Sequence, residues 1–254
     1  MIYITINTKG GVGKTTTAIQ MASVLHKAGR QFKVVELDDD VNSMIFNNSD
    51  FLTNKNSINL KLDKKSEVMA DVLFDAMSSP ELDYILDVGA GNNVHQILES
   101  LKSLDLAKTF LIPTTSDKKY LQNAIATFEL IDDAANSVFV LNRVQNSKNI
   151  KRQFLYFFGD KKLGIKPVSE IFAKTKYVWL PDSNYYQIAE DEEQSLLDLA
   201  MISYLKSPEE ARKDFFEIAK GSREKFHILW LKYEKSIEAA KVFDQIQEQL
   251  DGLI

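Results

Sequence analysis

The sequence predicts an α/β protein with a doubly wound, mostly parallel sheet and a C-terminal helical extension. Short apolar, β-branched runs alternate with helical periods, a glycine-rich loop follows the first run, and no strand pattern remains after about Ser195. The chain has 254 residues, of which 44% are hydrophobic and 26% charged, so it has enough apolar side chains for a folded core.

The strand and helix patterns follow one another in a regular order. Five runs have the length and composition of buried strands: Ile2–Asn7, Phe32–Leu37, Tyr84–Val88, Phe110–Ile112 and Val138–Leu141. A short sixth run, Ile58–Leu62, alternates like a strand. Helical periods lie between them, at Lys14–Lys27, Glu67–Met77, Val94–Leu104 and Lys118–Ala135. Strands separated by helices form a parallel sheet that is covered on both faces.

The C-terminal part of the chain reads as helix only. Ser207, Pro208 and Glu210 have the spacing of an N-cap, a first-turn proline and a capping-box acid, and a second helix can run from Gly221 to about Leu250. We therefore expect a domain over residues 1–203 and a helical extension over 204–254 that packs on it.

Composition excludes several classes of function. The chain has no cysteine, which excludes disulfides, a cysteine nucleophile and thiolate metal sites. It shows no signal-peptide pattern and no run of about eighteen apolar residues. The predicted last helix has an acidic polar face, whereas membrane-surface helices usually carry Lys and Arg there. We expect a cytoplasmic protein that does not bind membranes.

The segment 9–16, KGGVGKTT, lies directly between a predicted strand and a predicted helix. Backbone amides and a helix N-terminus converge on a phosphate in such a loop. The pattern places Lys14 against the β- and γ-phosphates and gives the Thr15 hydroxyl to Mg²⁺. The predicted cofactors are ATP or ADP with Mg²⁺, and the predicted phosphate-binding residues are Gly10, Gly11, Val12, Gly13, Lys14, Thr15 and Thr16.

This loop resembles the variant phosphate loop of the ParA/MinD family of P-loop ATPases, because it has a second lysine, Lys9, at its start. The resemblance extends over about residues 1–203. It implies an ATP-sandwich homodimer in which Lys9 reaches the phosphates of the partner. It also implies that Glu36 stands at the position of a Mg²⁺-shell acid and that Asp38 orients the attacking water. Glu36 departs from the aspartate that is usual in the family.

Three later segments continue the resemblance. Asp87 ends a run of apolar residues, as does the acid that holds Mg²⁺ through water in this family. The sequence Val-Gly-Ala-Gly follows it where Thr-Pro-Pro-Gly is usual, which resembles the plasmid mobilisation branch of the family. Asn142 and Pro181 match positions that contact and close over the adenine. An ordinary strand-terminal Asn and a plain turn proline are the alternatives.

Basic residues concentrate in two segments of this chain, whose net charge is −5. Segment 143–166 has a single acid, Asp160, and its lysines and arginines are interleaved with aromatic residues. Such a patch can hold nucleic acid phosphates without reading sequence, and a solvated helix with its aromatics in the core is the alternative. The DNA-binding candidates are Lys148, Lys151, Arg152, Lys161, Lys162, Lys220 and Arg223.

Four functions fit these motifs. The first is plasmid or chromosome segregation by slow ATP hydrolysis, with non-specific DNA binding, a ParB-like cargo adaptor and nucleoid association. The second is a mobilisation, conjugation or regulatory ATPase directed at a relaxase-type protein and not at DNA. A membrane-cycling division regulator is disfavoured by the acidic last helix, and no substrate signature supports a metabolic ligase.

Overall fold

The computed structural model describes residues 1–37, 46–53, 55–59, 74, 78–79, 81–90, 94–102, 106–172 and 175–254. The predicted helix over 67–77, apart from residue 74, and the whole acidic segment Asp38-Asp39-Asp40 lie outside these residues.

The described residues form a seven-stranded sheet in which every pairing is parallel. The strands are β1 Ile2–Thr5, β2 Phe32–Leu37, β3 Ser57–Asn59, β4 Asp83–Val88, β5 Lys108–Thr114, β6 Ser137–Val144 and β7 Lys176–Pro181. Their order in the sheet is β3-β2-β4-β1-β5-β6-β7. The predicted α/β class is confirmed, and β1 lies in the middle of the sheet.

Helices cover both faces of the sheet. They are α1 Lys14–Lys27, α2 Val94–Lys102, α3 Lys118–Ile131, α4 Ile150–Gln153, α5 Leu155–Phe158, α6 Val168–Ile171, α7 Tyr185–Asp191, α8 Leu196–Leu205, α9 Pro208–Ala219 and α10 Arg223–Leu250. One core lies between the sheet and α2, α3, α5 and α6. The other lies between the sheet and α1, α7, α8 and α10.

The C-terminal helices begin where the sequence predicts. The Ser207 hydroxyl accepts a hydrogen bond from the Glu210 amide, the Glu210 carboxylate accepts one from the Ser207 amide, and Pro208 occupies the first turn. The last turns of α10 enter the second core through Phe243, Ile246 and Leu250, all of them fully buried. The domain boundary at 203/204 stays a prediction.

The main difference from the predicted elements is β7. Its residues alternate poorly, its first two side chains are exposed, and Pro181 ends it. A proline and exposed side chains are typical of an edge strand, because the outer edge forms no ladder. The position of β7 beside β6 decides where the segment after Pro181 lies.

Candidate functional site

The loop 9–16 connects the carboxyl end of β1 to the first turn of α1, as its position in the sequence predicts. Gly13 is the N-cap of α1 and has φ +92°, a left-handed conformation that favours glycine. A Cβ atom on Gly13 would lie 2.3 Å from Nδ2 of Asn142. The loop therefore needs glycine here for its backbone conformation and for the close approach of Asn142.

Side chains from the sheet hold the start of the loop in place. Oδ1 of the fully buried Asn7 accepts a hydrogen bond from the Lys9 amide at 2.9 Å, and its Nδ2 donates to the Pro113 carbonyl at 2.8 Å. The Lys14 ammonium donates a hydrogen bond to the Lys9 carbonyl at 3.3 Å, so the Lys14 side chain folds back toward the start of the loop. These hydrogen bonds fix the start of the phosphate loop against the sheet.

Three polar residues meet at the carboxyl edge of adjacent strands. Thr5 and Glu36 both pair in register with Asp87, from β1 and β2 on either side of β4. The Asp87 carboxylate accepts hydrogen bonds from Thr5 at 2.8 Å and from Thr15 at 2.7 Å. Asp87 and Glu36 are buried.

This donor set fits Mg²⁺. The ion prefers oxygen ligands and usually takes only one or two carboxylates, with water and substrate phosphates completing its shell. Thr15 and Asp87 supply a hydroxyl and a carboxylate in direct contact beside the phosphate loop. Glu36 brings a second carboxylate to the neighbouring strand position.

A cleft of about 360 Å³ adjoins the loop at Gly13 and Thr16. Asn142, from the end of β6, and Pro181, from the end of β7, both line it, which brings together the two predicted adenine contacts. The Asn142 amide donates to the Val12 carbonyl at 2.7 Å, so this side chain also fixes the loop.

A family model described as an AAA domain matches residues 1–134, which is more than half of the chain. The chain belongs to that family. It is a P-loop ATPase of the ParA/MinD type, and the resemblance carried by the loop is thereby confirmed. A search of the curated proteins finds no match.

Solved structures show the same fold for this ParA/MinD-type ATPase. MinD of Pyrococcus horikoshii, in complex with Mg-ADP, is 14% identical with a TM-score of 0.54, over 99% of this chain and 96% of that one. A variant of McdA from Cyanothece, in complex with ATP, is 15% identical with a TM-score of 0.54, over 95% and 96%. MinD of Aquifex aeolicus is 19% identical with a TM-score of 0.51, over 81% and 97%.

The remaining predicted site residues of the ATPase are placed as follows. Lys9, Gly10 and Gly11 are exposed, and no carboxylate of the described residues forms an ion pair with Lys9. Val12, in the same loop, is buried. Asp38 lies outside the described residues.

Sequence reasoning missed other residues of the site. Thr5 and Asn7 act through contacts with neighbouring strands, which no local motif reveals. Arg143, Asp182 and Gln187 line the cleft beside Asn142 and Pro181. The sequence offered one signal for Arg143 and Asp182: each directly follows a residue predicted to contact the base, Asn142 or Pro181.

The DNA-binding candidates lie on two separate parts of the surface. Lys148, Lys151, Arg152, Lys161 and Lys162 are all exposed in the segment after β6, whose buried Phe154 and Phe157 join the core on the α2 and α3 side. These two aromatics therefore face the core. The exposed Lys220 and Arg223 join α9 to α10, whose last turns pack on the opposite face of the sheet.

Helix α3 adds basic residues to the first group. Lys118 and Lys119 are exposed in its first turn, and the Lys118 ammonium lies 5.5 Å from the ring centre of Tyr156 on α5. We call the five candidates of the first group together with these two lysines the basic surface. Among the described residues, no helix is long and apolar enough to span a bilayer.

Proposed function

We propose that this ParA/MinD-type ATPase binds ATP with Mg²⁺ at the loop and hydrolyses it slowly as a switch. The observation that carries the proposal is the contact between Thr15 and Asp87 directly beside the phosphate loop. Gly10 to Thr16 would hold the phosphates, with Lys14 at the β- and γ-phosphates. Thr15, Glu36 and Asp87 would hold the ion, Asp87 through water. A bound Mg²⁺ would neutralise charge that develops on the phosphates.

Asn142 favours adenine over guanine. Its Nδ2 is committed to the Val12 carbonyl, and no described residue donates to its Oδ1. Oδ1 can accept a hydrogen bond from an amino group, such as that of adenine, and it repels the carbonyl oxygen that guanine has at the same place. Pro181 provides an apolar wall of the same cleft.

The exposed Lys9 suits a role across a dimer. A lysine that pairs with no carboxylate among the described residues can reach the phosphates of a second copy and stabilise the charge of the transition state. ATP binding and homodimer formation are then linked. Asp38 is proposed to orient the attacking water, by resemblance alone.

The biological function that we favour for the ATPase is segregation of a plasmid or chromosome. The basic surface concentrates seven exposed cations on one part of a chain that is acidic overall, and phosphate contacts need only such a patch. The ATP-bound dimer would bind duplex DNA in the cytoplasm, on the nucleoid, and a ParB-like adaptor would trigger hydrolysis and release.

A second candidate is a mobilisation or regulatory ATPase that acts on a protein, such as a relaxase, without DNA. Large apolar side chains are exposed on the two C-terminal helices: Phe216 by 69%, Ile228 by 50% and Leu231 by 43%. Exposed apolar side chains of this size on neighbouring helices favour a protein contact.

Binding to a random-sequence duplex decides between the two purposes. It is measured with ATP, with ADP and without nucleotide, across a salt series. If the function is segregation, the protein should bind the duplex tightly and in a salt-sensitive manner with ATP, but not with ADP or without nucleotide. The double variant Lys151→Glu with Arg152→Glu should weaken this binding by at least tenfold. Lys220→Glu with Arg223→Glu is the matched control, because it makes the same change in charge on the other group.

The outcomes separate the candidates. Equal loss with both double variants would mean that net charge, and not the basic surface, governs binding. Absence of binding in every state, while ATP-dependent dimers form and Lys9→Ala abolishes them, would favour the protein-directed ATPase. Absence of ATP binding would reject both.

A further inference from the structure

A second cavity of about 270 Å³ lies beside the cleft that holds Asn142. Helix α1 lines it with Thr15, Thr16 and Gln20, and helix α7 lines it with Tyr186 and Glu190. Thr16, Tyr186 and Glu190 line both spaces, so the two spaces meet at these three residues. Apart from Thr15 and Thr16, the residues that line this cavity have no role in the proposed binding of phosphates, metal or base.

Two buried polar atoms at this cavity lack hydrogen-bond partners among the described residues. They are Oε1 of Gln20, a side chain that is only 2% exposed, and the hydroxyl of Tyr186. Burial of such atoms is costly unless a ligand or water satisfies them. Other residues at the cavity show no such deficit: the Ser195 hydroxyl exchanges hydrogen bonds with Asp198.

The chemistry of these two atoms defines what can satisfy them. Oε1 of Gln20 only accepts, so its partner must carry a donor hydrogen. Burial, and next the Asp182 carboxylate, raise the pKa of Tyr186, so its hydroxyl stays neutral and is able to donate. A group with hydroxyls that both donate and accept can satisfy an acceptor and a donor whose side chains line the same cavity.

The order of parts in a nucleotide indicates which group this is. The sugar joins phosphate to base, so with phosphates at Thr16 and the base against Asn142 it must lie between these two residues, next to the residues that both spaces share. We propose that the hydroxyl edge of the ribose faces the second cavity, where Gln20 accepts from it and Tyr186 donates to it. The inference rests on the proposed function and adds recognition of a ribonucleotide over a deoxyribonucleotide.

Calorimetric titration of the full chain with Mg²⁺ tests this. The ligands are ATP, 2′-deoxy-ATP and 3′-deoxy-ATP, which differ only in the sugar hydroxyls. We expect at least one deoxy analogue to bind about tenfold more weakly than ATP, the cost of leaving one buried acceptor without its donor. This comparison needs no substitution and is independent of the folding of any variant.

Two variants connect the effect to its residues. Gln20→Met keeps the length of the side chain and removes the acceptor. ATP should therefore bind this variant about as weakly as the discriminated deoxy analogue binds the wild type, and the variant should show no difference in affinity between ATP and that analogue. Tyr186→Phe should reduce the affinity for ATP in the same direction. Gln122→Met, an identical change at an exposed position of α3, is the control and should preserve the full difference.

The inference is overturned if all three nucleotides bind the wild type equally, because the cavity then holds water only. It is also overturned if Gln20→Met folds and retains the full difference. Failure of every nucleotide to bind would instead reject the proposed function, so the two failures are distinguishable.

Discussion

Gly13→Ala is the substitution whose cost can be worked most directly from the structure. With φ at +92°, an alanine would be held in the left-handed region at about 1–2 kcal/mol. Its Cβ would also lie 2.3 Å from Nδ2 of Asn142, and that amide would have to leave the Val12 carbonyl. Loss of this buried hydrogen bond costs about 1–3 kcal/mol. We expect a total loss of about 2–5 kcal/mol in the free energy of unfolding.

Urea unfolding of four variants separates the two contributions. Gly11→Ala is the matched control: Gly11 also has a positive φ, +75°, but nothing lies within 4 Å of its added Cβ. It should cost only about 1–2 kcal/mol. Asn142→Ala should cost about 1–3 kcal/mol. Gly13→Ala combined with Asn142→Ala should cost clearly less than the two changes added, because both remove the same hydrogen bond.

Additivity within about 0.5 kcal/mol would refute the reasoning. It would mean that the amide of Asn142 moves aside without loss when the methyl group is added. An equal cost for Gly11→Ala and Gly13→Ala would refute it as well, since backbone strain would then account for the whole effect.

Other parts of the chain give three further expectations. Arg30 binds the buried Asp83 through two contacts of 2.7 Å, so Arg30→Met should lower the free energy of unfolding by about 2–4 kcal/mol in urea, and adding Asp83→Asn should recover part of it. Hydrogen bonds from the backbone and side chain of Ser207 lower the pKa of the Glu210 carboxyl in the folded protein. The stability that this adds is present above the pKa of Glu210 in the unfolded chain and is lost as the pH falls through its pKa in the folded protein. In the variant Glu210→Gln, Tm should therefore fall less steeply as the pH is lowered into the acid range. Leu250→Ala should cost about 2–5 kcal/mol in urea and the exposed Leu231→Ala under about 0.5; equal costs would show that α10 contributes no core.

Local patterns predicted where the residues of the phosphate loop and Asp87 lie in the fold. Lys14 is the first residue of α1 and Asp87 is the next-to-last residue of the buried strand β4, and each signal is complete within eight neighbouring residues. Parallel strands bring such ends to one edge of the sheet, so the contact between Thr15 and Asp87 follows from the order of elements.

The contacts that depend on register could not be read locally. Thr5 meets Asp87, and Asn7 meets Pro113, only because β1 lies between β4 and β5 in the sheet. A sequence of alternating strands and helices does not state which strands are neighbours. The same reason hides the approach of Asn142 to Gly13, 129 residues away along the chain.

The match to the family model ends at residue 134, and this limit divides the site into two parts. The residues proposed to hold phosphate and metal precede it, so substitutions at Thr15 or Asp87 test the part of the site that the family model covers. Asn142 and Tyr186 follow it and reach the loop only through β6, β7 and α7. If the site bound a nucleotide through its phosphates alone, its affinity would not depend on the base or the sugar. Selection of adenine and of ribose would therefore show that the second half of the sheet takes part in recognition.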